Sequence, residues 1–191
     1  MNHDERNPIV RGTLRLENAE SLDPLVDALE PTIRSVFGSG RRGWVLRGDW
    51  LGHAIHPLLT DVALGTWTSA SLLDLFGGPE ESAAAQRLIG SGLLAAAPTA
   101  WTGWAEWAAA GPPHKRVGLV HAAVNGLTIG IYAASWVARR RGRQKAGARL
   151  ALGAVAVSSL GAYLGGHLAA ARKVGTRHTA YNETSAGVNS P

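Results

Sequence analysis

LALGAVAVSSLGAYLGGHLAAA, the stretch Leu150–Ala171, runs for 22 residues without a Lys, Arg, Asp or Glu. A soluble bundle helix needs a polar outer face, and here only Ser158, Ser159, Tyr163 and His167 interrupt the small and aliphatic residues. Roughly 20 apolar residues in a helix cross a bilayer, so the stretch predicts a membrane span. Val117–Ala138 is a second stretch of 22 residues free of those four types. Working outward, residues 84–106 carry no charge between Leu88 and Ala105, and residues 57–76 follow suit only by tolerating Asp61 and Asp74. Pro57 suits a first helical position, where its missing N–H would be unpaired in any case.

These stretches predict an all-α fold: an integral membrane four-helix bundle with spans near 57–76, 84–106, 117–138 and 150–171, within a membrane domain of residues 51–175. Gly126–Gly130 and Gly161–Gly165 have the Gly-xxx-Gly spacing that lets helix backbones approach closely in lipid. Residues 1–50 form a polar N-terminal region with weak alternation at Arg11–Leu16. Within it, Ser21 can cap an amphipathic helix over 21–37. Leu22, Leu25, Val26, Leu29, Ile33 and Val36 recur there at helical spacing. With Trp44 and Trp50 next in line, this helix is expected to lie in the membrane interface. Gly38-Ser39-Gly40 ends it, and residues 176–191 read as a polar tail.

Composition narrows the function classes. The chain has no cysteine, which excludes disulfides, thiolate zinc sites and Cys-ligated iron–sulfur clusters. The net charge of +5 would suit nucleic acid, but the Lys and Arg residues flank the apolar stretches as they do beside membrane spans. The expected partner is therefore the lipid bilayer, and no nucleic acid. Residues 1–20 show no apolar signal-peptide core, so both termini are expected on the cytoplasmic side of the cell membrane. The basic run from Arg139 to Arg149 opposes that orientation.

Ionisable residues inside membrane segments are functional candidates. His56 precedes the first span and Asp61 sits just inside it, Glu106 ends the second, His121 opens the third and His167 closes the fourth. Alternating spans would bring all of them to one leaflet. Helical spacing aligns His121, Asn125, Thr128 and Tyr132 on one face, Ser159, Tyr163 and His167 on another, and Thr99, Thr102 and Glu106 on a third. Each stripe is expected to face the bundle interior, because polar groups facing lipid lack partners. His53 and His56 form His-x-x-His, but Pro57 turns His56 away from helical geometry. They are read as a bend rather than as two ligands on one helix.

Neutral imidazoles on facing helices suit haem iron or a transition metal. His121 and His167 are the candidate haem b ligands, with His56 as a third. The candidate metal set is His56, His121, His167, Asp61 and Glu106, supported by His53, Asn125, Tyr163 and Thr102. The same groups suit a quinone-head or proton site, or only a polar network that fixes helix packing in a non-catalytic scaffold. Trp101, Trp104, Trp107 and Trp136 are expected in the interfacial aromatic belt.

Leu51-Gly52-His53-Ala54-Ile55-His56-Pro57-Leu58-Leu59-Thr60-Asp61 resembles the opening of the bacterial membrane family catalogued as domain of unknown function 2231. Gly118–Ala122 and Tyr163–Leu168 resemble its later histidine signatures. The resemblance covers roughly residues 45 to 175 and implies four membrane spans. Some relatives are fused to a Rieske iron–sulfur domain, which implies a membrane anchor or electron-transfer role. With no cysteine here, an iron–sulfur or other redox partner would be a separate protein. The family pattern has Pro after its first His; Ala54 stands at that position, which is expected to loosen the bend.

Overall fold

The computed structural model describes residues 7–179 and Tyr181, and these are helical throughout apart from turns; the rest of the polar tail lies outside the described residues. Helix α1 spans Pro8–Glu17, α2 Asp23–Ile33, α3 Gly40–Leu46, α4 His56–Phe76, α5 Ser82–Ala109, α6 Pro112–Arg140 and α7 Gln144–Gly166. Among the described residues the single β feature is an isolated bridge between His53 and Thr176.

Helix α1 occupies ground that reads from sequence as weak alternation. Its start is chemically specified: Asn7 Oδ1 accepts the amide of Ile9 at 2.9 Å and Pro8 sits in the first turn. The single helix expected over 21–37 is instead a short 3₁₀ turn at Glu20–Leu22, then α2, then a π-helical turn at Arg34–Gly38. Asp23 begins α2 with Pro24 in its first turn, and the N-cap position falls to Leu22, which offers no side-chain cap, rather than to Ser21.

Helices α4, α5 and α6 cover residues 57–76, 84–106 and 117–138, and α7 with the π-helical turn His167–Ala171 that follows it covers 150–171. By length and composition, α6 and the run from Gln144 to Ala171 are each apolar enough to cross a membrane.

The chain divides into two compact units, and passes from one to the other within α5, α6 and α7. The first comprises the residues through His56, Trp101–Val120, and the chain from Leu164 onward. Its core is Val26, Ile33, Trp107, Ala108 and Leu119, with Leu29, Phe37 and Trp104 packed against it. Trp107 is thus a core residue rather than part of an aromatic belt: its Nε1 donates to the Lys115 carbonyl at 2.8 Å and Trp104 meets it edge-on. Trp101 remains exposed.

The second unit comprises Pro57–Ala100 and His121–Tyr163. Small residues dominate its core, with Ala63, Ala70, Ala85, Ala96, Ala151 and Ala154 packed around Trp67, Ile89 and Tyr132. The Trp67 ring stacks on Tyr132 with centroids 4.3 Å apart, and its Nε1 donates to the Ile89 carbonyl. Gly92 makes room for it: a Cβ there would lie 2.3 Å from Trp67 Nε1. Gly126 and Gly130 meet nothing within 4 Å, so their spacing does not mark a close crossing inside this chain.

Asp74, an oddity in an apolar stretch, is buried against Arg139 at 2.5 Å. Ser135 completes the group, donating to the Gly147 carbonyl at 2.7 Å. A charge pair this dry requires every polar atom to find a partner. It explains how α4 carries a carboxylate that its hydropathy would not predict.

Candidate functional site

In the first unit, polar chemistry concentrates where the N-terminal helices meet α5, the start of α6 and the chain after α7. Glu17, the last residue of α1, accepts from His167 Nε2 at 2.7 Å and from Arg172 at 2.6 and 2.8 Å. A carboxylate only accepts, so Nε2 of His167 carries the proton. Burial pushes the Glu17 carboxyl upward, but the hydrogen bonds and charges of Arg172 and His167 outweigh it and hold it below the usual range.

Two further carboxylates repeat the arrangement. Asp23 receives a two-pronged grip from Arg116 at 2.7 and 2.6 Å, the fork geometry that suits guanidinium and carboxylate. Glu30 meets Lys115 Nζ at 2.5 Å, and Lys115 also stands over the Trp107 ring. Hydrogen bonding from these cations lowers both carboxyls from their usual values. Asp23 and Glu30 are seven apart, two turns of one helix face. His167 is a candidate from the sequence, whereas Glu17, Asp23, Glu30 and Arg116 are not. The available signal was that spacing in α2, set against the Lys115–Arg116 pair and Arg172.

Glu106 and Thr102 are buried on one face of α5, as their spacing predicts. Glu106 bonds Arg177, which also reaches Asp49 and the Arg47 carbonyl. One buried oxygen of Glu106, Oε1, has no hydrogen-bond partner among the described residues. His56, at the start of α4, lies 3.3 Å from Thr102 Oγ1, with its ring against Gly103. His53 is exposed on the bridge to Thr176, whereas His56 is already the first helical residue of α4, so Pro57 does not turn it out of the helix as expected; the bend falls at Ile55 between them. Ala54 does more than loosen that bend: its amide donates to the Gly175 carbonyl at 3.0 Å, a bond no proline can make.

In the second unit, His121 Nδ1 lies 2.9 Å from the Gly161 carbonyl, and its Nε2 is 2.9 Å from the Asn125 amide nitrogen. The carbonyl can only accept, so Nδ1 donates and the Nε2 lone pair receives Asn125. Thr128 and Tyr132, on the same stripe of α6, are buried as expected. The α7 stripe is not. Ser159 is exposed and Tyr163 is 41% exposed, while Ala151, Ala154, Gly161 and Leu164 turn inward. Small side chains allow the closer approach, and the Ser159 hydroxyl is satisfied within its own helix, donating to the Val155 carbonyl at 2.9 Å. Asp61 also stands exposed on α4.

His56 and His167 therefore belong to one unit and His121 to the other, each with protein partners. No group of three or more His, Asp or Glu positioned to hold a metal ion occurs among the described residues.

An all-helical chain with two helices of membrane-crossing length and buried charge pairs has the makings of a membrane protein. The family model described as "Predicted membrane protein (DUF2231)" matches residues 52–178. The chain belongs to that family. No curated protein and no solved structure matches it.

Proposed function

We propose that this chain is a multi-pass helical anchor in the cell membrane, with four crossing helices and both termini on the cytoplasmic side. Its buried polar groups hold helices in register instead of performing chemistry. The observation that carries this reading is His121, both of whose ring nitrogens are engaged by protein. The Nε2 lone pair that a metal would require is already accepting from Asn125. His167 Nε2 likewise donates to Glu17. A satisfied buried polar network of this kind specifies packing.

A second reading draws on the same residue. An imidazole whose Nδ1–H is fixed by a carbonyl is oriented as metal-ligating histidines are. With Asn125 turned aside, His121 would offer Nε2 to haem b or a metal, with a separate iron–sulfur protein as redox partner. A reduced-minus-oxidised spectrum and metal analysis of the detergent-purified chain separate the two. The anchor reading expects a colourless, metal-free protein, and a His121→Ala variant that melts earlier. A haem band or one metal per chain, lost in His121→Ala, would overturn it.

A further inference from the structure

Helix α3 and the turn after it present an unusual surface. Arg41, Arg42, Trp44, Val45 and Trp50 are exposed, with Trp44 46%, Val45 47% and Trp50 52% accessible. Two large aromatics facing outward from so short a segment would ordinarily be folded inward or left on a loose loop. Here the opposite side is locked. Gly43 is buried so tightly that a Cβ would lie 2.2 Å from the Gly38 carbonyl oxygen. Arg47 donates to that same oxygen at 2.7 Å and grips Asp49 at 3.1 and 2.7 Å. Arg177 closes the back, 3.2 Å from Asp49 and 3.1 Å from the Arg47 carbonyl. The interior hydrogen bonds thus hold the two indoles out.

We infer that the segment Gly40–Leu51 is an interfacial foot that seats in anionic phospholipid headgroups. Trp44, Val45 and Trp50 enter the headgroup–acyl boundary, and Arg41 with Arg42 meets lipid phosphates. Indole suits that depth because its ring is apolar and its N–H is a donor. Arg42 gives one N–H to the Ser35 carbonyl at 3.2 Å and keeps its others for a ligand. The acidic residue of the segment, Asp49, is held by Arg47 and Arg177, so the charge left on the outer side by Arg41 and Arg42 is positive and complements an anionic leaflet. Trp50 also stands six residues before the first residue of α4, and Trp is enriched where chains enter membrane spans. This inference names a lipid partner for the anchor and rests on the membrane reading above.

The absence of cysteine makes the test clean, because single introduced cysteines can be spin-labelled in the full-length chain. Labels at Val45→Cys, Leu160→Cys and Arg143→Cys are compared in nanodiscs of phosphatidylcholine with and without phosphatidylglycerol. Collision with oxygen reports lipid, and collision with a water-soluble nickel chelate reports solvent. The expected result is a Val45 label favouring oxygen, more so with phosphatidylglycerol, and an added Arg41→Gln/Arg42→Gln pair that abolishes this lipid dependence. A Val45 label as open to the chelate as the Arg143 label overturns the foot while a lipid-exposed Leu160 label leaves the anchor standing. A Leu160 label in water overturns both. Protection of Val45 from both reagents means that protein covers the patch, which also overturns the proposal.

Discussion

His167 Nε2 donates to Glu17 Oε1 at 2.7 Å, joining residues 150 positions apart in the chain. Arg172 grips the same carboxylate, and Arg116 and Lys115 hold Asp23 and Glu30 in the same unit. Three acidic side chains thus tie the N-terminal helices to cations on α6 and the chain after α7.

All three carboxyls are lowered in the folded chain, from ordinary values of 4.5 for Glu17 and Glu30 and 3.8 for Asp23. A carboxyl with a depressed folded value binds fewer protons folded than unfolded. Its contribution is complete above the ordinary value and is lost as pH falls through the folded one. The hydrogen-exchange protection of residues 8–33, corrected for the intrinsic pH dependence of amide exchange, is therefore expected to be flat from neutral pH down to about 5 and to fall below 4.5. Glu17→Gln should lower the stability of this segment by roughly 1 kcal/mol, the lower end for charged hydrogen bonds because Arg172 is partly exposed. Exchange in that variant identical to the parent at neutral pH would mean that the pair contributes nothing.

The His121–Asn125 contact predicts coupling. His121→Ala and Asn125→Ala should each lower the melting temperature in detergent. The double variant should fall short of their sum by about 0.5 kcal/mol, the upper end for a polar pair four residues apart on one helix. Strict additivity would show that the 2.9 Å approach has no energetic weight.

Arg139 and Asp74 are both buried, so removing one partner strands the other. Arg139→Met or Asp74→Asn is expected to cost about 3–5 kcal/mol. Combining the two should recover most of the loss, read from thermal unfolding of the purified variants. A double variant no more stable than the worse single one would count against the pair.

Glycines of the second unit separate cleanly into two kinds. Gly92→Ala places a methyl on Trp67 and Thr66 and should destabilise by about 1–3 kcal/mol through overpacking. Gly130→Ala meets nothing within 4 Å and should be neutral or slightly stabilising. Equal melting temperatures for the two variants would contradict the packing described at Trp67.

Much of the secondary structure was legible. The apolar runs located α4 to α7 because hydropathy and helical period are properties of consecutive residues. The inward stripe His121–Asn125–Thr128–Tyr132 was legible for the same reason. Helix α1 is hard to read from the sequence although Asn7-Pro8 carries its start signal, since its interior offers little apolar periodicity. The α7 face follows side-chain size rather than polarity, because Gly161 and the alanines set the closest approach.

By itself, the sequence determined an all-helical chain of membrane type, lacking cysteine chemistry, with ionisable side chains placed among apolar runs. Only the tertiary structure decided which partners those side chains take: Glu17 for His167, Asp74 for Arg139, and the Gly161 carbonyl for His121. Helix formation and burial tendency are local, written in composition and spacing. Pairing energies depend on distances of about 3 Å between segments far apart in the chain, and no local pattern encodes those distances.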